Sequence, residues 1–321
     1  MLESRFCTEE GLFLKKTQIL LSTYNGEEHL REQLDSLLSL DGAESITLLI
    51  RDDGSTDKTR VILAEYEKNE RIRVLYGENV GLNASMQILF NEADSTCSYY
   101  AYADQDDVWL KSKLSRAVHI LDEGDNTLPT LYAARSYLTD ASGNIIGQTR
   151  LLKHTPCFSN AMVQNVCIGH TQVYNRAMLD LLRTHYHKDV FVIDHWAYLL
   201  ACALGRVVFD NALVALYRQH GKNTIGYAHN LRTALRNRLR RALAGVPRRH
   251  AKQLRAIDRV CGARLCVRDR RELSLFLSSR RSIFTRLCYL LRARAHMQSF
   301  FENLGFRVLY LFGCYNEKRN E

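Results

Sequence analysis

Only 3 prolines interrupt the 321 residues, and neither a low-complexity segment nor an internal repeat divides the chain. No apolar run reaches the roughly 18 residues that a bilayer-spanning helix needs. Met1–Arg5 lacks a basic region followed by an apolar core, so no secretory leader is expected. The 9 cysteines are odd in number and form no Cys-x-x-Cys pair. They predict scattered reduced thiols in a cytoplasmic protein, and no sulfur-ligated metal. There is no Gly-x-Gly-x-x-Gly after the first expected strand and no Walker Gly-Lys-Ser/Thr. That argues against a nicotinamide-dependent dehydrogenase and a P-loop NTPase.

What is present is 46% hydrophobic residues, enough for one large or two modest domains. The net charge of +9 conceals an asymmetry: residues 229–321 carry 22 Lys and Arg against 6 Asp and Glu, whereas residues 1–228 carry 22 against 29. A mildly acidic body with a strongly basic tail suggests two tasks, the tail meeting an anionic surface.

Short apolar runs at Thr17–Ser22, Ser45–Ile50, Arg71–Tyr76 and Ser98–Ala103 alternate with helical periodicity, predicting a parallel sheet flanked by helices. Asn25 and Glu28 have the spacing of a capping box. Each strand runs into polar residues: Thr23 and Tyr24, then Asp52 and Asp53, then Asn79 and Gly81, then Asp104-Gln105-Asp106-Asp107-Val108-Trp109. In such sheets ligands sit at the strands' carboxyl ends. Asp104 and Asp106 lie two apart, which in extended chain puts both carboxylates on one side. They suit Mg²⁺ or Mn²⁺ shared with phosphates, or else an acidic N-cap for the helix that follows Trp109. Further on, Thr139–Asn144 predicts a hairpin turn, Val192-Ile193-Asp194-His195-Trp196 opens an apolar helix, and Val207–Phe209 and Leu213–Tyr217 read as two strands.

These motifs, with Ser22–Gly26, Arg51–Asp57 and Tyr217-Arg218-Gln219-His220-Gly221, occur in an order that resembles family-2 glycosyltransferases of the GT-A fold, in particular the rhamnosyltransferase-like branch. The resemblance covers roughly residues 17–227. It implies a GT-A, Rossmann-like, mostly parallel α/β sheet over residues 1–227, while charge and periodicity mark residues 228–321 as a basic helical extension. It also implies a nucleotide-sugar donor (dTDP- or UDP-linked), a divalent metal and inversion at the anomeric carbon. By the same likeness Thr23, Tyr24, Asn25, Asp52, Asp53, Asn79, Gly81, Gln105 and Arg218 contact the nucleotide sugar. Asp104 faces the ribose or the metal, Asp106 ligates the metal with His220 as a further candidate, and Asp194 is the general base. Asp107, Trp109, His170, His195 and Trp196 support these groups or line the acceptor side. Members of the family often carry His directly before that base, where this chain has Ile193, with His195 after it.

Beyond Tyr227 the motifs stop, and helical segments follow at Leu231–Leu243, Arg249–Leu265, Arg271–Leu277 and Ser282–Met297. Phe284, Leu287, Leu290 and Leu291 beside Arg280, Arg281, Arg286, Arg292 and Arg294 make a basic amphipathic helix. It fits either an anionic membrane surface or packing on the catalytic body with solvated arginines. Few interleaved aromatics and no recognised module argue against nucleic acid. The expectation is transfer of a sugar, rhamnose from dTDP-rhamnose, to a lipid-linked saccharide in O-antigen or capsule assembly, on the inner face of the cytoplasmic membrane. The alternatives are a UDP-hexose-dependent transferase and a catalytically inert saccharide- or nucleotide-binding protein.

Overall fold

In the computed structural model, residues 15–219, 240 and 242–316 are described. His220 and most of the expected Leu231–Leu243 helix lie outside them. β1 (Thr17–Thr23), β2 (Ile46–Asp52), β3 (Ile72–Tyr76) and β4 (Tyr99–Ala103) form a parallel sheet in the order β3-β2-β1-β4, as the alternating pattern predicts. Successive side chains point to opposite faces. Thus Ile19 and Leu21 join one apolar layer with α1 (Leu30–Leu38) and α2 (Thr59–Tyr66), while Leu20 joins the other with Met86 and Phe90 of α3 (Leu82–Glu92).

The second half extends the sheet. It comprises β5 (Val108–Trp109), α4 (Lys113–Asp122), β6 (Thr130–Thr139), β7 (Ile145–Gln148), α5 (Phe158–Ala161), β8 (Val173–Asn175), α6 (Arg176–Thr184), α7 (Ile193–Leu204) and β9 (Arg206–Arg218). β8 runs antiparallel between β4 and β6, β9 is parallel to β6, and β5 pairs with the far edge of β9. The expected hairpin turn joins β6 to β7, with Asp140 accepting hydrogen bonds from the amides of Ser142 and Asn144.

Two local expectations differ. The segment read as two strands is the single strand β9, whose register against β6 shifts twice. Asp210 and Asn211, which look like a turn, stay in the strand because Arg116 and Tyr132 bind the Asp210 carboxylate. The capping box is not formed either. Asn25 gives its side-chain oxygen to the Thr56 amide instead, and α1 begins later, at Leu30, without a side-chain cap.

The basic region folds as α8 (Val246–Cys261), α9 (Val267–Ser278), α10 (Ile283–Arg292) and α11 (Phe300–Leu311), the last unforeseen in the sequence. Their inner faces do not form a separate core. Ala251, Leu254, Ile257, Phe276 and Tyr310 belong to the same buried cluster as Trp196, Leu199 and Leu200 of α7. Gln253, fully buried on α8, accepts the Phe191 amide at 2.7 Å and donates to His195 Nδ1 at 3.1 Å. A chain ending at Tyr227 therefore exposes the apolar flank of α7. It should lose cooperative unfolding in urea or precipitate; a soluble fragment with a sharp transition would refute the shared core.

Candidate active site

Four loops meet at the carboxyl ends of the parallel strands, each tied to another by hydrogen bonds. After β1, Thr23 Oγ1 and the Tyr24 amide both donate to Gln105 Oε1, at 2.6 and 2.9 Å. Gly26 allows this, since a Cβ there would lie 2.7 Å from Gln105 Oε1. Asn25, at φ 47°, bridges to the loop after β2 through Ser55 and Thr56. Asp53 pairs with buried Arg51 and accepts the Val80 and Gly81 amides at 3.0 and 2.9 Å, fixing the loop after β3. Asp52 is likewise buried, accepting from the Ser55 amide and from Arg60. Tyr24 and Asn79 stay exposed at this rim.

The acidic turn follows β4. Asp107 is buried; its Oδ1 accepts the Arg218 amide at 3.1 Å. Its Oδ2 faces Nδ1 of buried His170 at 3.3 Å, and neither atom makes a hydrogen bond. His170 Nε2 meets Ser136 Oγ at 2.7 Å, and Asp104 Oδ2 lies 4.0 Å from Nδ1. Ligand atoms of Asp104, Asp107 and His170 all fall within 4.8 Å of one another. Burial, reinforced by Lys113, holds the imidazole well below its ordinary pKa and so neutral. A neutral ring with its proton towards Ser136 leaves Nδ1 a lone pair, as metal ligation requires. Two buried, unpartnered ligand atoms, one carboxylate and one imidazole, beside the second carboxylate of Asp104 fit a divalent cation.

Lys113 went unrecognised in the sequence. It is fully buried, with its ammonium 2.9 Å from the centroid of the Trp109 ring and bonded to the His170 carbonyl. Burial pulls its pKa well down, while the charges of Asp107 and Asp104 oppose that shift. In sequence it reads as one more lysine opening an amphipathic helix. Only the buried acids before it could have hinted at its role.

Burial also pushes Asp104 up to about 7, followed by the negative charges of Asp106 and Asp194. Its side chain is a third exposed, so water opposes part of this. Asp107 is driven well above the carboxylate range, first by burial and then by Asp104 and Asp106. Asp194, in the first turn of α7, is pushed up to about 6 by burial, against hydrogen bonds from the amides of Gly169 (2.9 Å) and His195 (2.6 Å). Gly169 must lack a side chain, because a Cβ would lie 2.7 Å from the Tyr102 ring.

Other expected site residues have structural partners. Arg218 directs its guanidinium to the Asp106 and Ala141 carbonyls and to Glu32. His195 is buried between the Ala161 carbonyl and Gln253, and Trp196 donates to the His185 carbonyl. Asp106 is half-buried next to the cluster of Asp104, Asp107 and His170.

The model of the family described as glycosyl transferase family 2 matches residues 18–183. An uncharacterized glycosyltransferase of Rickettsia prowazekii is 25% identical over 137 residues, covering 43% of this chain and 42% of the relative. TuaG of Bacillus subtilis, provisionally named a teichuronic acid biosynthesis glycosyltransferase, is 34% identical over 107 residues, 33% of this chain and 41% of that protein. The chain thus spans under half the length of these relatives. Among solved structures, Staphylococcus aureus TarS 1–349 in complex with UDP-GlcNAc superimposes with a TM-score of 0.56 at 16% identity, over 94% of this chain and 89% of that one. The mannosyltransferase PcManGT of Pyrobaculum calidifontis, in complex with GDP-Man and Mn²⁺, gives 0.54 at 15% identity, over 94% and 86%. At such identity the likeness shows the fold, GT-A.

The raised carboxylates set a pH dependence. Between about pH 4 and 7 the folded chain keeps a proton on Asp104 that the unfolded chain has released, so stability falls as pH rises through this window. In EDTA, Tm should drop from pH 5 to pH 8 less steeply for Asp104→Asn than for the wild type. Equal slopes would contradict the shift.

Proposed function

The chain belongs to glycosyl transferase family 2, and on that premise we propose that it moves a sugar from a nucleotide-sugar donor onto a saccharide hydroxyl with inversion at the anomeric carbon. The observation that carries the reading is Asp194: a half-buried carboxylate pushed up to about 6, held by two backbone amides and close enough to Asp104 for their charges to interact. A base near neutrality takes the acceptor proton as the hydroxyl attacks. The Gly169 and His195 amides aim it, and through His195 the buried Gln253 steadies the start of α7.

On the donor side, exposed Tyr24 and Asn79 offer contacts for the nucleotide. Thr23, Asn25, Asp52, Asp53, Gly81 and Gln105 hold the loops that frame it. Asp104, Asp107 and His170 would hold Mg²⁺ or Mn²⁺, with Asp106 as a further oxygen ligand. A bound cation neutralises the charge that develops on the departing diphosphate. Arg218 keeps the turn in place through the Asp106 carbonyl.

The motif likeness favours rhamnose from a dTDP donor and an acceptor in surface polysaccharide assembly. A UDP-hexose is the second reading, favoured by the UDP-GlcNAc bound in a structure of the same fold. An inert binding protein has no use for a base at Asp194. A thermal-shift panel of dTDP-rhamnose, UDP-GlcNAc and GDP-mannose, with and without Mn²⁺, should give a rise of several degrees for one donor. No shift with any of them would sink the donor assignment. Asp194→Asn should keep donor affinity and lose transfer by about 10²-fold or more; near-normal turnover would refute the base.

A further inference from the structure

α10 and α11 carry the same pattern of exposed apolar side chains. Ile283, Phe284, Leu287 and Leu291 occupy positions i, i+1, i+4 and i+8 of one helix; Phe300, Phe301, Leu304 and Val308 repeat that spacing on the next. At 3.6 residues per turn each set forms one stripe along its helix. These are not grazing exposures: Phe284 is 72% exposed, Leu291 78%, Phe300 73% and Phe301 62%. Phe312, just past α11, extends the second stripe. The opposite faces of both helices are buried in one aromatic cluster, in which Phe276, Tyr289, Phe306, Tyr310 and Tyr315 pack edge-to-face or tilted at centroid separations of 4.8 to 6.0 Å. The stripes therefore point away from a rigid backing.

Charge accompanies them. Residues 279–316 contain Arg280, Arg281, Arg286, Arg292, Arg294 and Arg307 against a single acid, Glu302. Arg281, Arg292 and Arg294 are exposed beside the α10 stripe. No helix among the described residues is long and apolar enough to cross a membrane. We propose that the outer faces of α10 and α11 are a docking surface for an anionic lipid bilayer, with the apolar stripes entering the headgroup–acyl boundary and the arginines meeting lipid phosphates.

The occupant follows from the combination. A nucleic acid would explain the arginines but not two rows of exposed phenylalanine and leucine. An apolar protein groove would explain the rows but not the excess positive charge, and a second copy of this face would set arginine against arginine. A bilayer accepts both, because buried apolar area and attraction to anionic headgroups act together in interfacial helices and arginine can bury its stem while its head stays wet. The inference stands apart from the transfer reaction and does not depend on it.

The test is co-sedimentation of the full chain with vesicles. Phosphatidylglycerol–phosphatidylethanolamine vesicles should carry the wild type down, and phosphatidylcholine vesicles should not. The pairs Phe284→Ser with Leu291→Ser, and Phe300→Ser with Phe301→Ser, should each weaken binding by about tenfold or more. Their Tm should change by no more than a few degrees, because most of each substituted side chain faces solvent. Arg281→Gln with Arg292→Gln and Arg294→Gln should remove most of the salt-sensitive part. The proposal is overturned if the wild type stays in the supernatant, binds phosphatidylcholine equally, or binds no more weakly when either stripe is altered. Self-association that the stripe variants abolish, without vesicle binding, would equally overturn it and identify a second copy instead.

Discussion

The structure is organised around a crowding of carboxylates at a partly buried turn. Asp104, Asp106 and Asp107 leave β4 within four residues, and Asp194 arrives from α7 close enough to raise the first of them. Carboxylates in such surroundings are costly unless something answers them. Lys113 lies under the turn, the Arg218 amide bonds Asp107, and the Gly169 and His195 amides bond Asp194. These partners come from four separate elements, so the end of β9, the start of α4, the loop before β8 and the first turn of α7 must all converge. The buried polar atoms that remain without a hydrogen bond, Asp107 Oδ2 and His170 Nδ1, are an opening for a cation.

The loops proposed to frame the nucleotide obey a gentler version of the same rule. They are joined by side chains that bond backbone amides: Gln105 to Tyr24, Asn25 to Thr56, Asp53 to Val80 and Gly81. Such latches satisfy loop amides that no strand or helix pairs. They also form the rim before any ligand arrives, which lowers the ordering cost of binding.

Much of this was legible beforehand. The four parallel strands and the hairpin at Asp140 follow from period and turn chemistry, because in those segments local preference and burial agree. The motifs grouped Asp104, Asp106 and Asp194, whereas the ligand atoms found beside Asp104 are those of Asp107 and His170, to which the motifs gave only supporting places. What stayed hidden was set by distant partners. Lys113 looks like a surface helix lysine until Trp109 and the acids close over it. Asp210-Asn211 looks like a turn until Arg116 and Tyr132 keep it in the strand. Asn25 looks like a helix cap until Thr56 competes for its oxygen. The C-terminal helices showed their charge in the sequence but not their inner aromatic cluster, which needs five residues from three helices and the turn after them.

Gln253 has a meaning for how such chains diversify. It sits in the basic region, yet its amide braces both the approach to α7 and the histidine next to Asp194. Recombination that exchanges C-terminal regions between relatives would therefore disturb the proposed active centre unless the donor sequence supplies an equivalent brace at that position. Crossovers should be tolerated only where α7 and α8 travel together. Their inheritance as one block would hold even though the stretch that resembles the family model ends at residue 183, before either helix begins.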